Sequence, residues 1–209
     1  MTTEPRSYSQ LGQDVWVYNA LGHKRGGYFV ELGAGDGIEL SNTFALETHF
    51  GWTGVCIECS RQFQALCRNR RCICDDSCVS DKDGEVVTFL EDDKYGQHNH
   101  FSGIKAKINC HEPRGREYRL ETRTLATVLR RRGAPRVMDY LSLDTEGSEL
   151  AILSVLPHHE FRFNCITVEH NFQERERSRI LDVLQGNGYV RVEQREWDDM
   201  YLHREWLGK

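Results

Sequence analysis

Residues 28–37 read YFVELGAGDG, a short run carrying Tyr28, Phe29, Val30 and Leu32 that ends in glycines at Gly33, Gly35 and Gly37. An apolar run of this length, with Gly26-Gly27 before it and glycines after, predicts a buried parallel strand. The glycines let the backbone turn tightly and approach a ligand with no Cβ in the way. The stretch is a strand-to-loop nucleotide cradle, and the flanking chain decides what it holds.

Upstream, spacing of Val15, Tyr18 and Leu21 predicts a helix over 11–21. Downstream, Ser41-Asn42-Thr43 can cap a helix through Phe44, Leu46, Glu47 and Phe50. GVCIE (54–58) reads as a second strand, Ser60 caps a helix over 61–69, and 72–74 is a third short strand. Strand–helix–strand–helix–strand is the order of a parallel sheet with right-handed crossovers. EVVTFL (85–90) reads as an edge strand. Residues 91–117 are polar and aperiodic, with His98, His100 and His111 among them. A long irregular segment in a compact domain is commonly functional, so a substrate loop or lid is expected there. Beyond it come a strand over 118–122, a helix over 124–132 and a strand over 138–143. A helix over 148–156, stopped by Pro157, precedes a strand over 163–168 and a charged helix over 174–185. The runs 189–192 and 200–203 suit an antiparallel pair at the sheet edge.

The 209 residues suit one domain over 1–209. Hydrophobic residues at 39%, charged residues at 28% and a net charge of −5 are ordinary for a globular protein. That balance calls for no nucleic-acid partner. The basic run Arg130-Arg131-Arg132 reads as a solvated helix end that complements the helix dipole. No apolar run reaches the roughly 18 residues of a membrane span, and the N-terminus lacks a signal-peptide core, so a cytoplasmic protein is expected. Its eight cysteines then read as buried thiols rather than a zinc site, because two well-spaced ligand pairs are lacking.

Ligands of an open α/β sheet sit beyond the carboxyl ends of its strands. Those ends read Gly33 to Gly37, Glu58, Asp76-Ser77, Asp144-Thr145-Glu146 and Glu169-His170-Asn171. A dinucleotide loop wants G-x-G-x-x-G, but the third-glycine position here is Ile38, and Asp36 would face a pyrophosphate. A cationic cofactor without phosphate suits the acids better. S-adenosylmethionine is such a ligand, with Glu58 placed to pair with its ribose hydroxyls.

SYSQLGQD (7–14), YFVELGAGDG, SNT (41–43), GWTGVCIE (51–58), LSLDTEGSEL (141–150) and VEHN (168–171) resemble, in order, the FkbM-type methyltransferases. The resemblance implies a class I, Rossmann-like methyltransferase fold: a mostly parallel seven-stranded sheet with helices on both faces and an antiparallel C-terminal edge. It implies S-adenosylmethionine as methyl donor, held by Gln10, Glu31 and the cradle residues Gly33, Ala34, Gly35, Asp36 and Gly37. Ser41, Asn42, Thr43, Glu58, Cys59, Asp76, Ser77 and Asp144 complete the implied donor site. Hydroxyls of sugars or natural products are the expected acceptors. A peptide side-chain amide, methylated on nitrogen, is the alternative, and a non-catalytic cofactor-binding module is a third reading.

Transfer to a hydroxyl needs a base. His170, with a pKa suited to neutrality, and Asp144 are rival candidates, with Glu169 beside them. Asp144, Glu169 and Asn171 could also offer oxygens to a magnesium-type ion. Glu146 reads as a cap for the helix after it.

Overall fold

The computed structural model describes residues 6–92, 101–108 and 114–208. The first part runs α1 (Gln13–Ala20), β1 (Tyr28–Leu32), α2 (Phe44–Phe50), β2 (Thr53–Ile57), α3 (Phe63–Asn69) and β3 (Ile73–Asp75). Then come β4 (Cys78–Ser80), β5 (Val86–Asp92), β6 (Gly103–Ile104), β7 (Gly115–Thr124) and α4 (Leu125–Arg131). The last part is β8 (Val137–Leu143), α5 (Glu149–Val155), β9 (Arg162–Glu169), α6 (Glu174–Gly186), β10 (Tyr189–Arg195) and β11 (Asp198–His203).

The main sheet has seven strands in the order β10-β11-β9-β8-β1-β2-β3. Pairing is parallel from β3 through β9, and β11 is antiparallel to both β9 and β10. This is the α/β architecture expected, mostly parallel with an antiparallel C-terminal edge. The expected antiparallel pair forms that edge, with β11 against β9 and β10 outermost. Hydrophobicity explains it, because Met200 and Tyr201 of β11 are fully buried whereas Val190 and Val192 of β10 are exposed.

Strand alternation sorts the core into two layers. Phe29, Cys56 and Cys165 face Trp16, Val17, Leu46 and Leu66 of α1, α2 and α3. Their neighbours Val30, Val55 and Ile166 face Val128, Ile152 and Ile180 of α4, α5 and α6. Both faces are therefore covered, which is what a parallel sheet requires.

Residues 85–90 do not edge the main sheet. They enter a second sheet of order β4-β7-β5-β6, with β5 antiparallel to β7 and to β6. Part of the expected 91–117 loop is thus strand. His98, His100 and His111 lie outside the described residues. The Arg130-Arg131-Arg132 run is not merely solvated: Arg131 and Arg132 converge on the fully buried Asp75 carboxylate at 2.6 and 2.5 Å. Burial alone would raise that carboxyl, but Ser77 and the two guanidiniums hold it below the usual range. Among the described residues, no helix is long and apolar enough to cross a membrane.

Candidate active site

A cavity of about 460 Å³ opens beyond the carboxyl ends of β1, β2, β8 and β9, a volume suited to a small organic ligand. Gly33, Ala34, Gly35, Ser41, Asn42, Glu58, Cys59, Ser77 and Gln10 line it, as do Asp144, Glu169 and Asn171. The glycines of the cradle have three different duties. At Gly33 (φ 75°) a Cβ would stand 1.9 Å from the Asp144 carbonyl oxygen, so the glycine lets β1 and β8 close on each other. At Gly37 (φ 83°) a Cβ would strike Arg70 and Leu66, both at 2.7 Å. Only Gly35 has open space, with Gln62 Oε1 at 3.8 Å as the nearest atom. Glu58 is tied to this point, accepting from Gly35 N–H at 2.9 Å and Ser60 N–H at 2.7 Å, while burial pushes its carboxyl up.

Several expected donor contacts are framework instead, and do not line the cavity. Glu31 is buried beneath the loop, accepting from Ser41 Oγ, Asn42 N–H and Thr43 Oγ1, with Arg70 at 3.2 Å. Arg70, itself buried, also pairs with Glu47 and donates to Gly37 O and Thr43 Oγ1. Thr43 is thereby turned inward, and Asp36 is spent on the turn, accepting from the N–H groups of Ile38 and Glu39. Asp76 is exposed outside the cavity, Ser77 lines it, and Asp75 takes the buried place at the end of β3.

The wall formed by β8 and β9 is acidic. Asp144, Glu146 and Glu169 bring carboxylate oxygens within 4.8 Å of one another. Burial, then the charge of Asp198, raises the Asp144 carboxyl to about 7 despite its hydrogen bond with Glu169. Burial and the neighbouring Asp144 hold Glu169 well above its ordinary value, and burial lifts Asp198 to about 6. Asn171 does not offer oxygen here; its Nδ2 donates to Glu169 at 2.7 Å and reaches Glu146 at 3.4 Å. The three-acid grouping thus replaces the expected set of Asp144, Glu169 and Asn171. Nor does Glu146 cap α5. The N-cap is Ser148, with no side-chain cap bond; Glu149 in the first turn ties down the loop before it, accepting from the Thr145 and Gly147 N–H groups, while Glu146 lines the cavity at φ 57°.

His170 faces away from the cavity. Its Nδ1 accepts from Phe172 N–H at 3.1 Å, and its buried Nε2 lies 3.9 Å from Asp199, which Arg177 also engages. Burial lowers its pKa. Strand alternation is the reason: Glu169 points into the cavity, so the next residue points out.

The remaining walls were not legible beforehand. Cys78, Phe89, Gly103 and Ile104 come from the second sheet, with Phe101 and Ser102 beside them. Phe172 is 59% exposed at the mouth and meets Trp197 edge to face, ring centroids 6.3 Å apart. Gln13, from the SQLGQD block, also lines the cavity and donates to Asp198 at 2.7 Å. Leu40, Glu146, Asn171 and Phe172 all line it with φ between 45° and 57°. Such left-handed non-glycine backbone is held at a cost and concentrates at functional sites.

A family model described as the methyltransferase FkbM domain matches residues 31–191. No curated protein matches the chain. Among solved structures, the METTL16 methyltransferase domain is similar at 12% identity and a TM-score of 0.49, over 90% of this chain and 63% of that one. A precorrin-6y C5,15-methyltransferase from Geobacter metallireducens aligns at 8% identity and a TM-score of 0.48, over 95% of each chain. A methyltransferase from Pyrococcus furiosus aligns at 12% identity and a TM-score of 0.43, over 91% of this chain and 82% of that one. The chain thus spans less than two thirds of the first of these.

Proposed function

The chain belongs to the methyltransferase FkbM domain family, and from that premise we propose that it uses S-adenosylmethionine to methylate a hydroxyl of a sugar or natural product. One observation carries the reading: a strand-end acid beside an open glycine, Glu58 with Gly35, shares one cavity with the Asp144–Glu169 carboxyl pair. The residues present fit the donor. Asn42 Oδ1 is buried with no partner in a residue that lines the cavity, leaving an acceptor for an ammonium or hydroxyl group. Among the described lining residues none is basic, so a cationic ligand meets no like charge.

Bound in this cavity, S-adenosylmethionine supplies a methyl group on a positively charged sulfur. Glu58 retains lone pairs for the ribose hydroxyls after its two backbone contacts. Asp144 takes the proton of the attacking hydroxyl, its raised pKa suiting it as a base near neutrality. Glu169 shares that proton, and Asn171 fixes Glu169 from the other side. The exposed Phe172 ring and Trp197 give the mouth an aromatic face, on which the C–H surface of a sugar ring can rest while carboxylates accept from its hydroxyls. His170 is set aside as base because it faces Asp199. The three clustered carboxylates support a second reading, in which a magnesium-type ion sits there and activates the acceptor.

Calorimetry with S-adenosylmethionine, S-adenosylhomocysteine and NAD tests the donor. Micromolar binding of the first two and none of NAD is expected; the reverse pattern would overturn the assignment. Release of S-adenosylhomocysteine with neutral sugars, set against peptide amides, then separates the acceptor classes.

A further inference from the structure

Six of the seven described cysteines stand in pairs near one edge of the main sheet. Cys56 and Cys72 are 3.6 Å apart at sulfur, Cys67 contacts Cys74, and Cys59 contacts Cys78. The third pair differs from the others in place and in polarity. Cys59 and Cys78 both line the cavity, Cys59 directly after Glu58 and Cys78 at the start of β4 against Phe89 and Ile104. Cys59 packs against the cluster that Cys78 forms with Phe89 and Ile104, and Lys107, held at 2.8 Å by Ser80 and Asp81, adds positive charge. The Cys59 contact and Lys107 draw the Cys78 thiol below its ordinary value, whereas the same contact and burial push Cys59 up. The two cavity-lining thiols are thus pushed in opposite directions, the polarity of an attacking and a resolving cysteine. The other pairs lack it: Cys56 is buried with its thiol raised, and Cys74 is pushed up to about 12.

We propose that Cys59 and Cys78 form an oxidisable dithiol in the cavity wall, which a peroxide closes into a disulfide that shuts the donor end. The Cys78 thiolate attacks one peroxide oxygen and the O–O bond breaks. The sulfur becomes a sulfenic acid, and the leaving oxygen takes up a proton. The Cys59 sulfur then attacks the sulfenic sulfur, the S–S bond forms, the S–O bond breaks, and water leaves with the Cys59 proton. With hydrogen peroxide, two thiols and one peroxide give one disulfide and two waters. Closure draws two sulfurs from non-bonded contact to about 2.05 Å, which moves the Cys59 backbone and with it Glu58. The gating half rests on the proposed donor site; the bridge itself does not.

The test uses the full reduced chain titrated with hydrogen peroxide, followed by thiol-labelling peptide maps. A Cys59–Cys78 bridge should form first, with loss of two hydrogens in mass, and dithiothreitol should reverse it. S-adenosylmethionine affinity should fall about tenfold on closure and return on reduction. In Cys78→Ser, the affinity ratio before and after peroxide should stay at one. A map in which Cys59 and Cys78 remain labelled while another pair bridges would sink the dithiol, and a bridge with unchanged affinity would sink the gate. If the reduced chain binds no S-adenosylmethionine, the donor assignment fails, and the map alone still decides the dithiol.

Discussion

Alanine at Gly33 and alanine at Gly35, two residues apart in one loop, should fail in opposite ways. At Gly33 the new Cβ would stand 1.9 Å from the Asp144 carbonyl, whereas real Cβ atoms keep at least about 3.0 Å. The ends of β1 and β8 would have to part by at least about 1 Å where Leu32 pairs with Leu143. Left-handed backbone at φ 75° adds about 1–2 kcal/mol for a residue with a Cβ. Strain and lost packing together put Gly33→Ala at about 3–5 kcal/mol, a large part of a typical domain's stability. At Gly35 the backbone term is similar, about 1–2 kcal/mol, but no clash is added because Gln62 Oε1 at 3.8 Å is the nearest atom. Gly35→Ala should therefore fold, while its methyl group occupies donor space. Urea unfolding and S-adenosylmethionine calorimetry on both variants read the two effects separately. Wild-type stability in Gly33→Ala would show that the strand ends do not need that approach. Wild-type affinity in Gly35→Ala would show that the donor does not pass there.

Glu58→Ala should weaken S-adenosylmethionine binding by about 1–3 kcal/mol, the value of a charged hydrogen-bond acceptor, and unchanged calorimetric affinity would remove it from the ribose. Arg70→Met should lower unfolding free energy by about 3–5 kcal/mol, because the buried Glu31 and Glu47 lose their counter-ion; a urea midpoint equal to wild type would contradict that. The methylation rate should climb as pH rises through about 7, where Asp144 gives up its proton, and a flat profile would exclude it as base. The same shift has the opposite sign for stability. A carboxyl raised in the native state stabilises below its unfolded pKa of 3.8, and that contribution is lost as pH rises to about 7, so Asp144→Asn should flatten the stability–pH curve there. Exhaustive EDTA should leave activity unchanged; a loss restored by magnesium would favour the ion reading of the three carboxylates.

What could be read from the chain was what depends on near neighbours. Each expected strand of the main sheet formed because a few consecutive apolar residues commit a segment to burial, and its end marks where polar residues begin. What could not be read depends on partners distant in sequence. Glu31 looked like a donor ligand because it sits in the cradle, yet Arg70, 39 residues away, closes over it and makes it the support of Ser41, Asn42 and Thr43. Asp75 and Asp76 are indistinguishable as neighbours until Arg131, 56 residues on, takes one of them. The second sheet joins the expected strands of 85–90 and 118–122 to β6 from inside the aperiodic insertion, and nothing local announced that pairing or that Phe89 and Ile104 would wall the cavity. His170 was a different failure, because alternation along β9 already turned it away once Glu169 was placed inward. The cradle itself illustrates the same division. Its three glycines read alike in sequence, but Gly33 serves a strand contact as well as lining the cavity and Gly37 serves an arginine, so that of the three Gly35 has the open space on its Cβ side. On the proposed donor reading, the open side of this loop is therefore Gly35 with Glu58, and Asp144, Glu146 and Glu169 stand on the β8 and β9 wall of the same cavity.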